Sequence, residues 1–185
     1  MSIIQNLVSA GNNKKAQQFE DWTVQVGKGD PNAAKSIELF PDNFNSLSEY
    51  KAQLRDISNA YIAIIDKDGD GKISYDEFEK HNIDQAKENI PGISSQQLNG
   101  YKQTLRTIYD RLDVDKQDKS KDNLDVREIM NYFFIMDSSN DDLQIDGTVT
   151  QSEYELSSKL LADGTETGNK FGACVQKLYD YLFKS

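Results

Sequence analysis

Residues 66–77 read Asp-Lys-Asp-Gly-Asp-Gly-Lys-Ile-Ser-Tyr-Asp-Glu, a run that sets out oxygen donors in regular alternation. A loop that wraps a hard divalent cation draws its ligands from its first, third, fifth, seventh, ninth and last positions. Here those positions hold Asp66, Asp68, Asp70, the carbonyl of Lys72, Ser74 and Glu77. Glu77 is long enough to give both carboxylate oxygens to one ion. Gly71 falls where the chain must turn sharply and a side chain would obstruct it. An acidic turn without a metal has no reason to meet all these demands together. The chemistry predicted is calcium binding, with Mg2+ as the natural competitor.

Two further stretches repeat parts of the pattern. Asp113-Val-Asp115-Lys has the front of such a loop, and Leu124, Asp125 and Glu128 have its back. Asp113 to Glu128 spans 16 residues, four more than in 66–77, and no glycine stands at the turn. Loops lengthen at small entropic cost, so both ends can still close on an ion. Asp118 or Asp122 would then supply a missing oxygen, and the alternative is a loop that keeps its shape without a metal. The third stretch, 142–153, has the regular length. Asp142, Gln144, Asp146, the carbonyl of Thr148 and Glu153 are its candidate ligands, with Gly147 at the turn and Val149 in the place of Ile73. A rival register begins at Asp137-Ser-Ser139-Asn-Asp141 and makes the loop longer. Glu153 closes the site in either register.

Charge supports this division. The chain of 185 residues has a net charge of −10. Residues 66–77 carry a net −3, residues 113–128 a net −2 and residues 137–153 a net −5, while the rest is neutral. Negative charge gathered into three loops predicts cation sites, and it argues against nucleic acid as a partner. No stretch approaches the roughly 20 apolar residues that span a bilayer. The first residues lack the basic leader and apolar run of a signal peptide, and the single Cys174 forms no internal disulfide. Both point to a cytoplasmic protein. Cys174 reads as core filler. His81, in a polar helix end, reads as a solvated residue. With no nucleophile elbow, phosphate loop or zinc motif, the reading is that the chain is not an enzyme.

The elements that must position the loops are helical. Ser48 reads as the cap of a helix over Glu49–Ile65, whose Tyr50, Leu54, Ile57, Tyr61, Ile64 and Ile65 recur at helical spacing. Phe78 opens the next helix, which runs to about Asn89 before Pro91-Gly92. Leu98, Tyr101, Leu105, Ile108 and Leu112 form a clean stripe leading into Asp113. Only residues 126–138 separate the second and third loops, so one helix must serve both. Residues 151–162 and a final stripe of Phe171, Val175, Leu178, Leu182 and Phe183 complete the chain. The first 45 residues suggest two short helices, one before Gly11 and one ending at Gly27-Lys28-Gly29, with no credible cation loop. The division expected is an N-terminal helical segment over 1–45 and a cation-binding domain with its C-terminal helix over 46–185.

The run 66–77 and its flanks resemble the EF-hand superfamily, closely there and more loosely at 113–128 and 137–153. Size and acidity are loosely similar to the sarcoplasmic-type and bacterial multi-EF-hand proteins. The resemblance implies an all-α fold of helix–loop–helix units with extra N- and C-terminal helices. It implies paired loops in which Ile73 meets Leu124 or Val149. It also implies one to three bound Ca2+ ions and a calcium buffer or signal-responsive binder. The alternatives are a sensor that exposes an apolar groove to a protein partner, or a structural protein stabilised by calcium. Sensor grooves tend to be rich in methionine, and this chain has three.

Overall fold

The computed structural model describes residues 2–115, 123–139 and 145–184, apart from the side chain of Asn6. Among them are seven helices and four short strands, a mainly helical fold. In chain order these are α1 (Ile3–Gly27), β1 (Ser36–Glu38), α2 (Leu47–Ile65), β2 (Ile73–Ser74) and α3 (Tyr75–Asn89). Then come α4 (Ser95–Leu112), β3 (Asn123–Leu124), α5 (Val126–Asp137), β4 (Thr148–Thr150), α6 (Gln151–Ala162) and α7 (Glu166–Phe183). None of the described helices is long and apolar enough to cross a membrane.

The order helix–strand–helix–strand–helix occurs twice, and the strand pairs join the two runs. β2 pairs antiparallel with β3, setting Ile73 opposite Leu124. β1 pairs antiparallel with β4, setting Ile37 opposite Val149. Exchanging the first five elements for the second five maps one pair onto the other. α2 and α5 therefore play the same part, each leaving one strand and leading towards the next. The short span between the second and third loops is half of a repeated plan, not an irregularity. The sequence gives no sign of β1, because Ser-Ile-Glu lacks the acidic lead that marks the other loops.

Capping explains where the helices begin. Ser46, not Ser48, accepts the Glu49 N–H, so α2 starts two residues earlier than its apolar stripe suggests. α3 starts at Tyr75 rather than Phe78, because Ser74 caps it and Glu77 reaches back to the Ser74 N–H. The same reciprocal cap opens α5 through Asp125 and Glu128, and α6 through Thr150 and Glu153. At the N-terminus, α1 is a single helix that runs through Gly11. Its first turns carry exposed Ile3, Ile4, Leu7 and Val8, and its buried face begins at Ala16.

One apolar cluster runs from Ala16 to Leu182 and includes residues of α1 and α7, with Ile37 of β1 packed against it. Phe19, Tyr61 and Phe133 meet edge to face with centroids 5.1–5.9 Å apart, joining α1, α2 and α5. Such pairs contribute about 1 kcal/mol each beyond their burial. Trp22 packs on Tyr154 and donates its indole N–H to the Ala34 carbonyl at 2.7 Å. Asn131 of α5 donates to the Val175 carbonyl of α7 at 3.1 Å. Two side chains stand apart from their expected roles. Cys174 is exposed rather than core. His81 is not solvated: its Nε2 lies 3.0 Å from the buried Glu20 carboxylate, which also accepts from Gln85.

Candidate metal centre

The loop between α2 and α3 gathers its carboxylates. Oxygens of Asp66, Asp68 and Asp70 all lie within 4.8 Å of one another. The backbone holds them there. Asp66 accepts the Gly69 N–H at 2.7 Å and the Gly71 N–H at 2.8 Å. Asp68 accepts from Asp70 N at 3.1 Å, and Asp70 from Lys72 N at 2.9 Å. Gly71 has a φ of +78°, the conformation its place at the turn demands. Glu77 ties the back of the loop to its front. One oxygen accepts from Lys67 N at 2.8 Å and the other from Ser74 N at 2.9 Å.

The electrostatics match four acids in one small loop. Desolvation pushes the Asp66 carboxyl up, but the Gly71 and Gly69 N–H groups outweigh it and hold the group below its ordinary value. Glu77 is also lowered: desolvation opposes, and the Ser74 and Lys67 N–H groups prevail. For Asp68 the balance reverses. The Asp70 N–H lowers it, while desolvation and the charges of Asp70 and Glu77 together leave it raised.

In the loop between α4 and α5, Glu128 repeats the part of Glu77. It is 2% exposed. It accepts Val114 N at 2.7 Å and Asp125 N at 3.1 Å, as Glu77 accepts Lys67 N and Ser74 N. The ends of the enlarged loop are thus drawn together as in 66–77. The acids are differently engaged. The Arg127 guanidinium lies 2.9 Å from Asp115 and 3.1 Å from Asp125, so one positive charge is shared between two carboxylates of the loop. Sequence reasoning counted Arg127 only as charge. Burial pushes Glu128 well above the usual carboxylate range. Asp118 and Asp122 lie outside the described residues.

In the loop between α5 and α6 the described residues repeat part of the hydrogen-bond pattern of 66–77. Asp137 accepts the Gly147 N–H at 3.1 Å, as Asp66 accepts that of Gly71. Asp146 accepts Thr148 N at 2.8 Å, as Asp70 accepts Lys72 N. Glu153 accepts Thr150 N at 2.7 Å, as Glu77 accepts Ser74 N. Asp137 thus stands towards Gly147 as the first acid of 66–77 stands towards its turn glycine. Asp142 and Gln144 lie outside the described residues. Asp137 is fully buried and also accepts the Tyr50 hydroxyl at 2.6 Å. Desolvation raises its pKa to about 6. Gly147 has a φ of +78°, and a Cβ there would lie 2.6 Å from the Phe40 carbonyl oxygen.

The repeated plan relates loop 66–77 to loop 137–153 and loop 113–128 to the β1 segment, and each of the three loops closes through a glutamate three residues beyond its helix cap. No family model, curated protein or solved structure matches the chain.

Proposed function

We propose that the chain is an EF-hand-type calcium-binding protein that buffers the ion or binds it in response to a signal. The observation that carries this reading is the convergence of Asp66, Asp68 and Asp70 within 4.8 Å, in a loop that Glu77 closes. With the Lys72 carbonyl and Ser74, these residues form a hard, all-oxygen donor set of the kind calcium takes. Loop 137–153 is the second site, with Asp137, Asp146, the Thr148 carbonyl and Glu153 as its ligands. Asp142 and Gln144 belong to the shorter register for the same site. Loop 113–128 is the weakest of the three, because Arg127 already balances Asp115 and Asp125. Asp113 and Glu128 would complete it if the guanidinium moved away.

Buffering fits the core. The stripes are built from Phe, Tyr, Leu and Ile, and α1 and α7 are packed against the body through Trp22, Val175 and Leu182. Calorimetric titration with calcium, repeated in magnesium, tests the reading. Glu77→Gln replaces a bidentate anionic ligand with a neutral one, and the stoichiometry is expected to fall by one ion. Unchanged stoichiometry would remove 66–77 as a site.

A further inference from the structure

Beside the loops, α1, α3, α4, α5 and α6 enclose a cavity of ≈ 630 Å³. Its volume lies within the range of pockets that hold drug-sized molecules. Phe19, Phe78, Leu105, Ile108 and Ile129 contribute apolar wall, and the paired residues Ile73 and Leu124 also line it. The polar lining includes Glu20, Tyr61, Tyr101, Tyr132 and Tyr154. Burial keeps the hydroxyls of Tyr61 and Tyr132 well above their ordinary pKa and that of Tyr101 at about 12, so all three are protonated at neutral pH; the Tyr61 hydroxyl is hydrogen-bonded to Glu20, and Tyr101 and Tyr132 are the donors a ligand would meet.

From this lining we infer that the cavity is a binding site for a neutral, ring-bearing small organic molecule with a polar group directed at the tyrosine hydroxyls. Aromatic walls favour a flat ring system, which they can meet by stacking or edge contact. Glu20 disfavours an anion, and its carboxylate is already engaged by His81 and Gln85, so it offers little to a cation. A macromolecular partner fits less well. Of the large apolar residues that line the cavity, Ile90 alone is exposed. Lys28 and Gln97, which also line it, are polar and exposed. The apolar surface therefore faces inward, within reach of a small molecule and not of a docking helix.

The test uses Nile red, a neutral fused-ring fluorophore, with the full chain. Saturable binding of one dye per chain with blue-shifted emission is expected. Ala86 lines the cavity and is 9% exposed, so Ala86→Trp should weaken binding at least tenfold. Lys87→Trp, on the exposed face of the same helix, should leave it unchanged. If Ala86→Trp fails to fold by circular dichroism, Thr104→Trp, at a half-buried lining position, takes its place with the same expectation. Non-saturable uptake, or full affinity in the folded cavity variant, would overturn the inference. So would tight binding of an amphipathic Leu–Lys helical peptide with no uptake of dye.

Discussion

Asp137→Asn is expected to stabilise the metal-free protein and to weaken its response to calcium. The Asp137 carboxylate is fully buried, and desolvation lifts its pKa from 3.8 to about 6. At about 1.4 kcal/mol per pH unit, holding the charged form in place costs about 3 kcal/mol. The sign follows from proton binding. Between pH 4 and 6 the unfolded chain has released this proton and the folded chain still holds it. Stability from this group therefore falls as pH rises through that window, and the loss is complete above about 6. Asparagine carries no charge and escapes the cost. Its amide oxygen still accepts from Tyr50 and Gly147, which share one Asp137 oxygen, but the Asp146 N–H loses its acceptor, at about 1–2 kcal/mol. The net gain at pH 7 is then about 1–2 kcal/mol, or a Tm rise of about 2–8 °C for a chain of this size. Thermal melts in a chelator at pH 7 and pH 4 measure it, and the variant's advantage should be gone at pH 4, where only the lost hydrogen bond remains and leaves the variant slightly the less stable of the two. On the proposed function calcium binds only the folded loop and should raise the parent's Tm, and the variant's rise should be smaller. A variant less stable than the parent at pH 7 without metal would refute the reasoning. So would an identical calcium shift in the two proteins.

Arg127→Gln frees Asp115 and Asp125 from their counter-charge. It should tighten calcium binding at 113–128 and cost the metal-free fold at most about 1 kcal/mol, since the guanidinium is 44% exposed; calorimetry that finds no added or tightened site counts against competition between Arg127 and an ion. Gly147→Ala combines a positive φ with a contact of 2.6 Å to the Phe40 carbonyl oxygen, so urea unfolding should show a loss of about 2 kcal/mol or more. Calcium should expose little new apolar surface on the folded protein, read as similar binding of an apolar-surface dye with and without the ion. A large rise at constant helix content would favour a sensor.

The loop at 66–77 was legible because its ligands are contiguous and each position answers a separate demand. α3, α4, α5 and α6 were legible to within a few residues from their apolar spacing and the loops that bound them, while the caps at Ser94 for α4 and Thr150 for α6 emerge only from the structure. Other features depend on contacts remote in sequence. Gly11 read as a break, yet α1 passes through it, anchored further along by Phe19 and Trp22 against α2, α5 and α6. His81 read as solvated because its partner, Glu20, is 61 residues away. On spacing alone the regular length favours Asp142, and Asp137 makes the longer rival register. Asp142 lies outside the described residues, whereas Asp137 accepts a buried hydrogen bond from Tyr50, 87 residues upstream, which no local pattern reveals.

The strand pairing carries a consequence for how calcium would bind. Loop 66–77 pairs with 113–128 through Ile73 and Leu124, and loop 137–153 pairs with the β1 segment through Val149 and Ile37. The two loops proposed as sites therefore do not pair with each other. One faces a loop whose acids Arg127 balances, the other a segment with no acidic lead. A strand pair is the shortest mechanical link between two loops, and here neither pair runs between 66–77 and 137–153. Calcium binding should accordingly show two independent events, with Hill coefficients near 1 at each. Glu77→Gln should leave the affinity of the site at 137–153 within about twofold, because coupling between sites must be carried by differential contacts. Titration of the Glu77→Gln and Asp146→Asn variants, each retaining one site, gives the intrinsic affinities, and their sum should reproduce the parent isotherm. A parent isotherm steeper than that sum would mean that the sites communicate by a route other than the strands. The direct contacts between α2 and α5, such as Tyr61 on Phe133 and Tyr50 on Phe134, would then be the place to look for it.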